Sequence, residues 1–296
     1  MTVITVIVTY NRRQLLIQCV EAVRRNRPEK IIVVNNGSTD GTREWLDQQT
    51  DLHVIHQENV GGSGGFCRGM QEALCMGGDA IWCMDDDVRP HDDCLDHMRP
   101  YMDSFNAGII APRRIMDGKV FTNDFCRYNL YNPVASLYAD RIRHKTVDHP
   151  IDIAGTAFEG LFVRRDVVEQ IGLPNKDLFI FCDDTDFCLR AYLCGYRILY
   201  VPHALMDKEN LSGKDTWAER QQKKKWKRFY QIRNSTYLNH HYGQNWTVRY
   251  LRGLITLSGY VLTVLATAPF SKGYSLCDIP RFWKAYTDGI NERLGR

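Results

Sequence analysis

Two clusters of carboxylates are the residues most able to do chemistry in this sequence. Asp85, Asp86 and Asp87 follow one apolar stretch, and Asp183 and Asp184 follow another much later in the chain. Adjacent carboxylates repel one another unless they are solvated or neutralised. A divalent cation held by one or two carboxylates and by substrate phosphates is the usual solution. The first cluster therefore predicts a cation site, although a solvated turn or an acidic helix N-terminus would give the same pattern.

The second cluster, Asp183 and Asp184, is suited to moving a proton. It stands between the apolar stretch 178–181 and a helix-like segment at 187–193. A carboxylate that is free of metal there could act as a general base. The alternative role for Asp184 is a helix cap, because Asp is a favoured N-cap residue. One metal-bound and one free cluster would divide a site between charge neutralisation and proton transfer.

The segments around these clusters predict an α/β fold. Apolar, β-branched runs predict strands at 3–9, 30–34, 52–56 and 80–84, and the stretches between them predict helices at 12–25, 44–49 and 67–76. Continuous apolar strands indicate a Rossmann-like, mostly parallel sheet with helices on both faces. Such sheets bind their ligands at the carboxyl ends of the strands. We therefore expect the site in the segments that follow the strands.

Three polar segments follow the predicted strands at those ends. They are Thr9, Tyr10 and Asn11; Asn35, Asn36 and Gly37; and a glycine-rich segment that includes Asn59, Gly61, Gly62 and Gly65. Asn11 could cap the first helix. The glycine-rich segment could hold an anion through backbone N–H groups, or it could be a flexible loop. It lacks the lysine of ATP-binding loops and the glycine spacing of dinucleotide-binding loops.

The composition limits the class of protein. With 296 residues, of which 44% are hydrophobic and 25% charged, the chain has room for one large α/β domain and additions. A net charge of +3 gives no indication of a nucleic-acid partner. The ten cysteines stand without CxxC pairs, and the sequence opens on a strand rather than a signal-like segment. We therefore expect a cytoplasmic protein with reduced thiols.

Several of these segments together resemble family 2 glycosyltransferases of the GT-A fold. The segments are Val-Thr-Tyr-Asn-Arg at 8–12, Val-Val-Asn-Asn-Gly-Ser-Thr-Asp-Gly-Thr at 33–42, Asn-Val-Gly-Gly-Ser-Gly-Gly-Phe at 59–66 and Met-Asp-Asp-Asp at 84–87. Segments at 158–165, 178–187 and 228–234 extend the resemblance over roughly residues 1–240. Within the family, the sequence is most similar to bacterial galactofuranosyl- and rhamnosyltransferases of cell-surface polysaccharide synthesis.

The resemblance implies a metal-dependent, inverting hexosyltransferase. Such an enzyme would move a sugar from a UDP- or dTDP-sugar to a lipid-linked or polysaccharide glycan in O-antigen, capsule or cell-wall synthesis. Galactofuranose is the favoured sugar, and rhamnose is the alternative. Two other classes stay open. They are a sugar-nucleotide pyrophosphorylase, which would carry a basic glycine-rich loop after its first strand, and a sugar-nucleotide-binding protein without catalysis.

The resemblance also implies roles for the carboxylates. Asp85 and Asp87 match the ends of the family's Asp-X-Asp motif. Asp85 would contact the ribose or a metal-bound water, and Asp87 would bind Mn²⁺ or Mg²⁺. Asp86 would be the spacer between them or would support them. Asp184 would be the catalytic base, and Asp183 would orient it or contact the acceptor.

Donor contacts follow from the same resemblance. The turn formed by Thr9, Tyr10 and Asn11 would lie under the nucleobase. Asn35 and Asn36 stand where the family commonly has an aspartate. An amide can both accept from and donate to a pyrimidine, so uridine or thymidine stays feasible; a simple turn is the alternative. The glycine-rich segment would approach the diphosphate and the sugar.

The third metal ligand is left open by the sequence. The family commonly places a histidine shortly after the next strand, but here His203 lies earlier than expected and Asp207 lies nearer the expected position. Either side chain could bind Mn²⁺ or Mg²⁺. A lone histidine near a turn is more often structural, which favours Asp207.

The C-terminal region indicates contact with a membrane. A long helix is predicted from 216 to 239 with a basic run at 220–228, and an apolar stretch follows at 254–270. That stretch is short for a spanning helix, so attachment to an anionic lipid surface is favoured over spanning. Packing against the catalytic domain or a partner is the alternative. We expect a nucleotide-sugar-binding half at 1–112, an acceptor-binding and catalytic half at 113–215, and a helical region at 216–296 on the inner face of the cytoplasmic membrane.

Overall fold

The secondary structure comes from a computed structural model that describes residues 1–104, 107–121, 124–142, 147–211, 216–270 and 273–296. The strands are β1 Val3–Thr9, β2 Lys30–Asn35, β3 His53–His56, β4 Ala80–Asp85, β5 Val88–Pro90, β6 Ile109–Met116, β7 Lys119–Val120, β8 Phe125–Tyr128, β9 Tyr138–Arg141, β10 Ile151–Ile153, β11 Leu161–Arg164 and β12 Ile198–Lys208. The helices are α1 Arg13–Arg25, α2 Thr42–Leu46, α3 Gly61–Cys75, α4 Cys94–Ser104, α5 Arg165–Ile171, α6 Asp183–Leu193, α7 Trp217–Tyr242, α8 Arg252–Thr267 and α9 Asp278–Ile290.

The described residues fall into two compact units. Unit 1 takes 1–127, 140–176 and 183–209, and unit 2 takes 128–139, 177–182 and the chain from 210 to 296. The division into functional halves at residue 112 stays a prediction. The other predicted boundary, at residue 215, lies outside the described residues.

Unit 1 is built on a mixed sheet with the strand order β10-β12-β6-β11-β4-β1-β2-β3. The last four strands in that order, β4 to β3, are parallel to one another. β11 runs antiparallel to both of its neighbours, β4 and β6, while β12 runs parallel to β6. The predicted α/β class with a central sheet is confirmed. The parallel part of the sheet contains the four strands that were predicted from continuous apolar runs.

Helices cover both faces of this sheet. Leu16 and Val20 of α1 and Met98 of α4 pack on one face against Trp82. On the other face, Phe66 and Met70 of α3 and Phe187 of α6 pack around the sheet. Burial of both faces explains why the strands lack the polar alternation of a half-exposed sheet.

The glycine-rich segment is helical, which corrects the predicted start of α3 at residue 67. The helix begins at Gly61, so the glycines form its first turns. A Cβ at Gly65 would lie 2.5 Å from Val8 Cγ1, and one at Gly69 would lie 2.3 Å from Val6 Cγ1. Such distances are too short for real carbon atoms. The glycines therefore let α3 pack directly on β1.

The predicted cap of α1 is also corrected. Asn11 has a positive φ of 53°, and its side-chain oxygen accepts from Thr39 N at 2.7 Å. α1 begins two residues later, where Arg13 N donates to Asp40 Oδ2 at 2.9 Å. The cap comes from the loop after β2, a contact between residues that are distant in sequence.

Unit 2 is a three-helix assembly of α7, α8 and α9. Ile232, Leu257 and Phe282, one from each helix, share its buried core. Thr216 is the N-cap of α7 and forms a capping box in which Thr216 and Glu219 exchange hydrogen bonds. The stretch Thr247–Phe270, with mean hydropathy 1.5 and 17% of its apolar window buried, is long and apolar enough to cross a membrane.

Candidate functional site

The strand register of unit 1 brings two of the predicted polar segments and the aspartate cluster to one edge of the sheet. Val8 pairs with Asp85, and Thr9 pairs with Asn35. The ends of β1, β2 and β4 are therefore level with one another. As the sequence predicted, the turn after β1, the loop after β2 and the aspartates after β4 lie side by side.

Two further segments reach the same edge because of the mixed topology. β11 is antiparallel to β4, so its first residues lie at the carboxyl end of β4, where Gly160 N donates to Cys83 O at 2.9 Å. This places Glu159 beside the aspartates. β12 ends at the same edge, and its last residue, Lys208, pairs with Val88 of β5.

Charged side chains of alternating sign form one continuous series at this edge, which we call the ion-pair chain. Its members in order are Asp86, Arg12, Asp87, Lys208, Glu159, Arg114 and Asp124. Distances between the nitrogen and oxygen atoms of successive members run from 2.6 to 3.3 Å. Near one end of the ion-pair chain, the Arg114 side chain is fully buried. Near the other end, the Arg12 side chain is 36% exposed. The ion-pair chain therefore runs from the core to the solvent.

Asp86 is the first member of the ion-pair chain and is buried beside the partly exposed Arg12. Its Oδ2 accepts from Thr9 Oγ1 at 2.7 Å, and its Oδ1 accepts from Arg12 Nη1 at 3.0 Å. Burial raises the pKa of Asp86, although Arg12 and Thr9 oppose that shift. With both oxygens occupied, Asp86 ties the aspartate cluster to the turn after β1. This geometry favours the supporting role rather than a bare spacer.

Asp87 has a cation on each of its oxygens. Lys208 Nζ lies 3.2 Å from Oδ1, and Arg12 Nη1 lies 3.3 Å from Oδ2. Lys208 also donates to Glu159 Oε1 at 2.7 Å. Burial alone would lower the pKa of Lys208, but Glu159, Asp87 and Asp85 together raise it above its usual value. Lys208 is therefore a charged ammonium in a largely buried position.

Asp85 ends β4 and completes the aspartate cluster. Burial raises the pKa of Asp85 well above its usual value, and the charge of Asp87 adds to the shift, while Lys208 opposes it. The half-buried Asp85 carboxyl group thus shares the electrostatic environment of Asp87 and Lys208. The structure brings Asp85, Asp86 and Asp87 to the predicted edge, but Asp86 and Asp87 contact two positive side chains, Arg12 and Lys208, to which the sequence analysis gave no role.

The two candidates for a third metal ligand, Asp207 and His203, have surroundings of their own, and their metal-binding roles stay predictions. Asp207 pairs with His91, whose Nε2 lies 3.5 Å from Asp207 Oδ2. Asp207 and Lys208 are neighbours on a strand and so point to opposite faces. His203 is exposed and lies where the register between β12 and β6 shifts, five residues before Lys208.

These contacts do not fit the divalent cation that the resemblance implied. Both oxygens of Asp87 already accept from cations. Within the described ranges, no three His, Cys, Asp or Glu side chains are arranged to hold one metal ion. A divalent ion at Asp87 would stand beside Arg12 and Lys208, and like charges at such distances repel strongly.

Asp183 and Asp184 occupy the first turn of α6. Burial, followed by the charge of Asp183, raises the pKa of Asp184 to about 7, and Glu159 adds to the shift. Burial also raises the pKa of Asp183. Asp184 Oδ1 accepts from Thr185 N at 2.6 Å. Because Glu159 acts on both Asp184 and Lys208, the predicted base shares its electrostatic surroundings with the ion-pair chain.

The asparagines after β2 are engaged within the protein. Asn35 Oδ1 accepts from Ser38 N at 3.0 Å, and its amide contacts His56 Nδ1 at 3.1 Å. Asn36 donates to Gly61 O at 2.9 Å and accepts from Gln57 Nε2 at 2.9 Å. These bonds build the loop and connect it to α3. The nucleobase contact of Asn35 and Asn36 stays a prediction.

The remaining predicted donor residues frame the same edge. Tyr10 is 47% exposed beside the buried Thr9. Gly37 has φ +80°, and a Cβ there would lie 3.0 Å from Asn59 N, so this position requires glycine. Asn59 Oδ1 accepts from Gly61 N at 3.0 Å. Of the predicted glycines, Gly62 has open space around it, whereas Gly65 faces β1 rather than a ligand.

Arg12, Arg114, Glu159 and Lys208 were not assigned roles by the sequence analysis. Arg12 and Glu159 lie inside the segments that carry the family resemblance, at 8–12 and 158–165. Lys208 directly follows Asp207, but its contacts with Asp87 and Glu159 depend on the fold. Arg114 and Asp124 had no sequence signal, since their pairing depends on the fold.

Comparisons with known proteins indicate the family and the fold of the chain. The sequence model described as "Glycosyl transferase family 2" matches residues 4–172. The chain is 29% identical over 200 residues to galactofuranosyltransferase GlfT1 of Mycolicibacterium smegmatis, covering 65% of this chain and 66% of the relative. It is 26% identical over 216 residues to the dTDP-rhamnosyl transferase RfbF of Shigella flexneri, covering 69% of each protein. The match thus spans about two thirds of the length of these relatives.

A solved structure shows the shared fold. The structure described as GalNAc-T7 with UDP, GalNAc and Mn²⁺ aligns with a TM-score of 0.58 and 14% sequence identity. The alignment covers 93% of this chain and 59% of that protein. The predicted GT-A architecture is therefore confirmed, while Mn²⁺ and UDP are properties of that neighbour.

Proposed function

The chain belongs to glycosyl transferase family 2, and from that premise we propose that it transfers a hexosyl unit, with inversion, from a nucleotide-diphosphate sugar to a glycan hydroxyl. The observation that carries the proposal is that Glu159, a member of the ion-pair chain at the carboxyl ends of the strands, also acts electrostatically on Asp184. A carboxylate that can accept a proton lies in the same electrostatic surroundings as cations that can face a diphosphate. Sugar transfer from a nucleotide needs both.

The proposed reaction uses these groups in one displacement. The acceptor hydroxyl oxygen forms a bond to the anomeric carbon while the bond from that carbon to the diphosphate oxygen breaks. The hydroxyl proton passes to Asp184, and the electron pair of the broken bond leaves with the nucleotide diphosphate. Asp183 orients the base from the same helical turn. Donors such as Arg12 and Lys208, set in a low-dielectric site, stabilise the negative charge that develops on the leaving group.

The donor is proposed to be a UDP- or dTDP-sugar. Galactofuranose is the first choice because a relative with 29% identity is a galactofuranosyltransferase. Rhamnose is the second candidate because the other relative is a dTDP-rhamnosyl transferase. The acceptor is proposed to be a lipid-linked or polysaccharide glycan of the cell surface. The family match favours transfer over the pyrophosphorylase alternative.

Of the properties that the resemblance implied, dependence on a metal ion has the least support from the site. Mn²⁺ or Mg²⁺ at Asp85 and Asp87 was implied by the resemblance, but the contacts of Asp87 with Arg12 and Lys208 oppose it. The reaction proposed above therefore uses only side chains of the protein.

We also propose that the protein works at the inner face of the cytoplasmic membrane. α8 exposes Ile255, Leu262 and Leu265 on one stripe, and Phe270 follows it. Exposed apolar side chains in such a row favour partition into a lipid interface. The exposed Arg249 precedes the helix, and a basic residue there favours anionic lipid.

A donor panel with a base variant tests the transferase proposal. UDP-galactofuranose, UDP-galactopyranose, UDP-glucose and dTDP-rhamnose are compared by thermal shift, since a ligand that binds only the native state raises its melting temperature. The donor that binds is then tested for transfer to polyprenyl-diphosphate-linked glycans. We expect Asp184→Asn to keep donor binding and to lower kcat by at least about a hundredfold, as is usual when a general base is lost.

Asp166→Asn is the matched control because Asp166 also lies in the first turn of a helix, at α5, and pairs only locally with Arg164. It should retain the wild-type rate. Full transfer by Asp184→Asn would refute the base assignment. Binding without transfer by the wild-type protein toward every acceptor would favour a sugar-nucleotide-binding protein without catalysis.

A further inference from the structure

Lys208 is the central member of the ion-pair chain. Its ammonium nitrogen lies between Asp87 Oδ1 at 3.2 Å and Glu159 Oε1 at 2.7 Å, and the Phe121 ring centroid lies 5.9 Å away. The Lys208 side chain is 13% exposed. It therefore brings a full positive charge to the place where carboxylates were expected to gather a divalent ion.

Arg114 limits how far Glu159 can neutralise that ammonium. Glu159 Oε2 accepts from Arg114 Nη1 at 2.8 Å, and Arg114 in turn binds the buried Asp124 at 2.6 Å. Glu159 is thus shared between two cations. A lysine ammonium has three N–H donors, and the two carboxylates account for two of them. Within the part of the chain that the structure describes, one donor of Lys208 is left for a ligand.

Arg12 closes the other side of Asp87. Its guanidinium bridges Asp86 and Asp87 and keeps an exposed surface toward solvent. An arginine fork and a lysine point charge are both suited to phosphate oxygens. Together they present two positive charges along one edge of the predicted donor site.

We propose that Lys208, assisted by Arg12, supplies the positive charge that faces the donor diphosphate, in the place of a divalent cation. This inference rests on the proposed function, because it assumes a nucleotide-diphosphate ligand. A fixed ammonium in a largely buried site interacts more strongly with phosphate than it would in water. It also needs no ion to be recruited before the donor binds.

The consequence is a donor site that works without divalent metal. Each oxygen of Asp87 stays on its protein cation when the donor binds, and the phosphates contact the outer sides of Lys208 and Arg12. Asp87 then acts as a positioning residue, because each of its two oxygens fixes the position of one cation. A histidine in place of Lys208 would reverse this arrangement, since it would remove the fixed charge and add a metal ligand next to Asp85 and Asp87.

Isothermal titration of UDP and dTDP tests the proposal on the full-length protein, once in EDTA and once in Mn²⁺. The variants are Lys208→Met, which removes the charge, and Lys208→His, which adds a metal ligand. Arg89→Met is the matched control because Arg89 lies on β5, which pairs with the end of β12, and binds Glu209 instead of the aspartates. Melting temperatures of all variants establish that each is folded.

We expect wild-type protein to bind the nucleotide in EDTA within about threefold of its affinity in Mn²⁺. Lys208→Met should lose about tenfold or more in EDTA, the usual effect of one charge-assisted hydrogen bond. Lys208→His should bind weakly in EDTA and recover in Mn²⁺. Arg89→Met should match the wild type in both buffers.

Two results would overturn the inference in different ways. Wild-type binding that is lost in EDTA and restored by Mn²⁺ would show that a metal does this work, and would leave the transferase proposal standing. Absence of nucleotide binding by the wild type in both buffers would count against the inference and the proposed function together. The wild-type comparison decides the question even if Lys208→Met fails to fold.

Discussion

Burial and catalysis favour opposite protonation states of the Asp184 carboxyl group. Its surroundings, chiefly burial and then Asp183, raise its pKa to about 7, so they favour the neutral acid. A general base must be ionised when the acceptor hydroxyl arrives. A pKa near the working pH reconciles the two demands, because the carboxylate is then both populated and basic enough to take a proton.

The rate of transfer should therefore follow the ionisation of Asp184. We expect kcat/KM to rise with pH and to level off above an apparent pKa of about 7, because the protonated acid cannot accept the hydroxyl proton. The measurement is a pH profile of transfer from the donor identified by thermal shift. Because Asp183 and Asp184 interact, the apparent value belongs to the pair. A profile that is flat from pH 5 to pH 9, or that falls with pH, would contradict the role.

Ionisation of Asp184 should also lower the stability of the folded protein. The pKa of Asp184 is raised in the folded protein, so the folded state binds more protons than the unfolded state between the two pKa values, and stability falls as the pH rises through that window. Above pH 7 the charged Asp184 is disfavoured, and Asp184→Asn should raise the melting temperature there by roughly 2–4 °C, the shift that about 1 kcal/mol gives in a domain of this size.

Calorimetry at pH 8 and pH 4.5 checks this expectation. Asp184→Asn should be more stable than the wild type at pH 8, and the difference should shrink at pH 4.5, where Asp184 is protonated in the folded protein. Asp166→Asn should instead be less stable than the wild type at pH 8. Arg164 lowers the pKa of Asp166, so the charge of Asp166 is favourable in the folded state. A destabilised Asp184→Asn at pH 8 would indicate that its hydrogen bond with Thr185 outweighs the charge.

The individual residues of the site were only partly predictable. Asp85, Asp87 and Asp184 could be singled out because adjacent carboxylates follow apolar stretches there, although their roles stay predictions. Lys208 could not, because its importance comes from distances to Asp87 and Glu159 that no local pattern records. The asparagines after β2 show the same limit, since hydrogen bonds to the loop and to α3 are visible only in the fold.

At the scale of elements, the first four strands were predictable and the packing of α3 was not. The strands at 3–9, 30–35, 53–56 and 80–85 agree closely with the predicted ranges, because apolar runs between polar turns are a strong signal. The start of α3 was placed six residues too late, since glycine has low intrinsic helix propensity. Close packing on β1 overrides that propensity.

The glycines of α3 therefore make a prediction about packing. Gly65→Ala should destabilise the protein by about 1–3 kcal/mol, the usual cost of overpacking, because its Cβ would lie 2.5 Å from Val8 Cγ1. Gly62→Ala is the control on the same helix, since nothing lies within 4 Å of its Cβ. It should be neutral or stabilising by up to about 1 kcal/mol, as alanine favours helices.

Urea denaturation of both variants measures the two free energies of unfolding. A Gly62→Ala variant that loses as much stability as Gly65→Ala would mean that the segment is not helical. The order of the two values therefore tests the corrected boundary of α3. Donor binding by Gly62→Ala also reports on the predicted approach of this glycine to the diphosphate.

At the scale of the whole molecule, unit 1 carries the candidate site and unit 2 carries the apolar surface. The mixed sheet of unit 1 could not be foreseen beyond β4, because β11 enters between β4 and β6 from a distant part of the sequence. That insertion is what delivers Glu159 to the aspartates. In unit 2, the predicted long helix is confirmed over Trp217–Tyr242, and the apolar stretch forms α8.

The exposed stripe of α8 gives the prediction that concerns the whole protein. Leu262 is 65% exposed and Leu265 49% exposed, so neither side chain stabilises the unit 2 core. Replacing both with glutamine should leave the melting temperature nearly unchanged. If α8 lies in a lipid interface, the double variant should lose at least about tenfold in vesicle binding, because each leucine contributes on the order of 1–2 kcal/mol when buried.

Sedimentation with vesicles of neutral or mixed neutral and anionic lipid measures this binding. Leu193→Gln is the matched control, since Leu193 is also 49% exposed but belongs to α6 of unit 1. Wild type and control should bind anionic vesicles more tightly, and added salt should weaken that binding by screening basic residues such as Arg249. Unchanged vesicle binding by the double variant would assign the stripe to a protein partner instead. The apolar and electrostatic contributions separate in this design, because the leucine substitutions change no charge and the salt changes no apolar area.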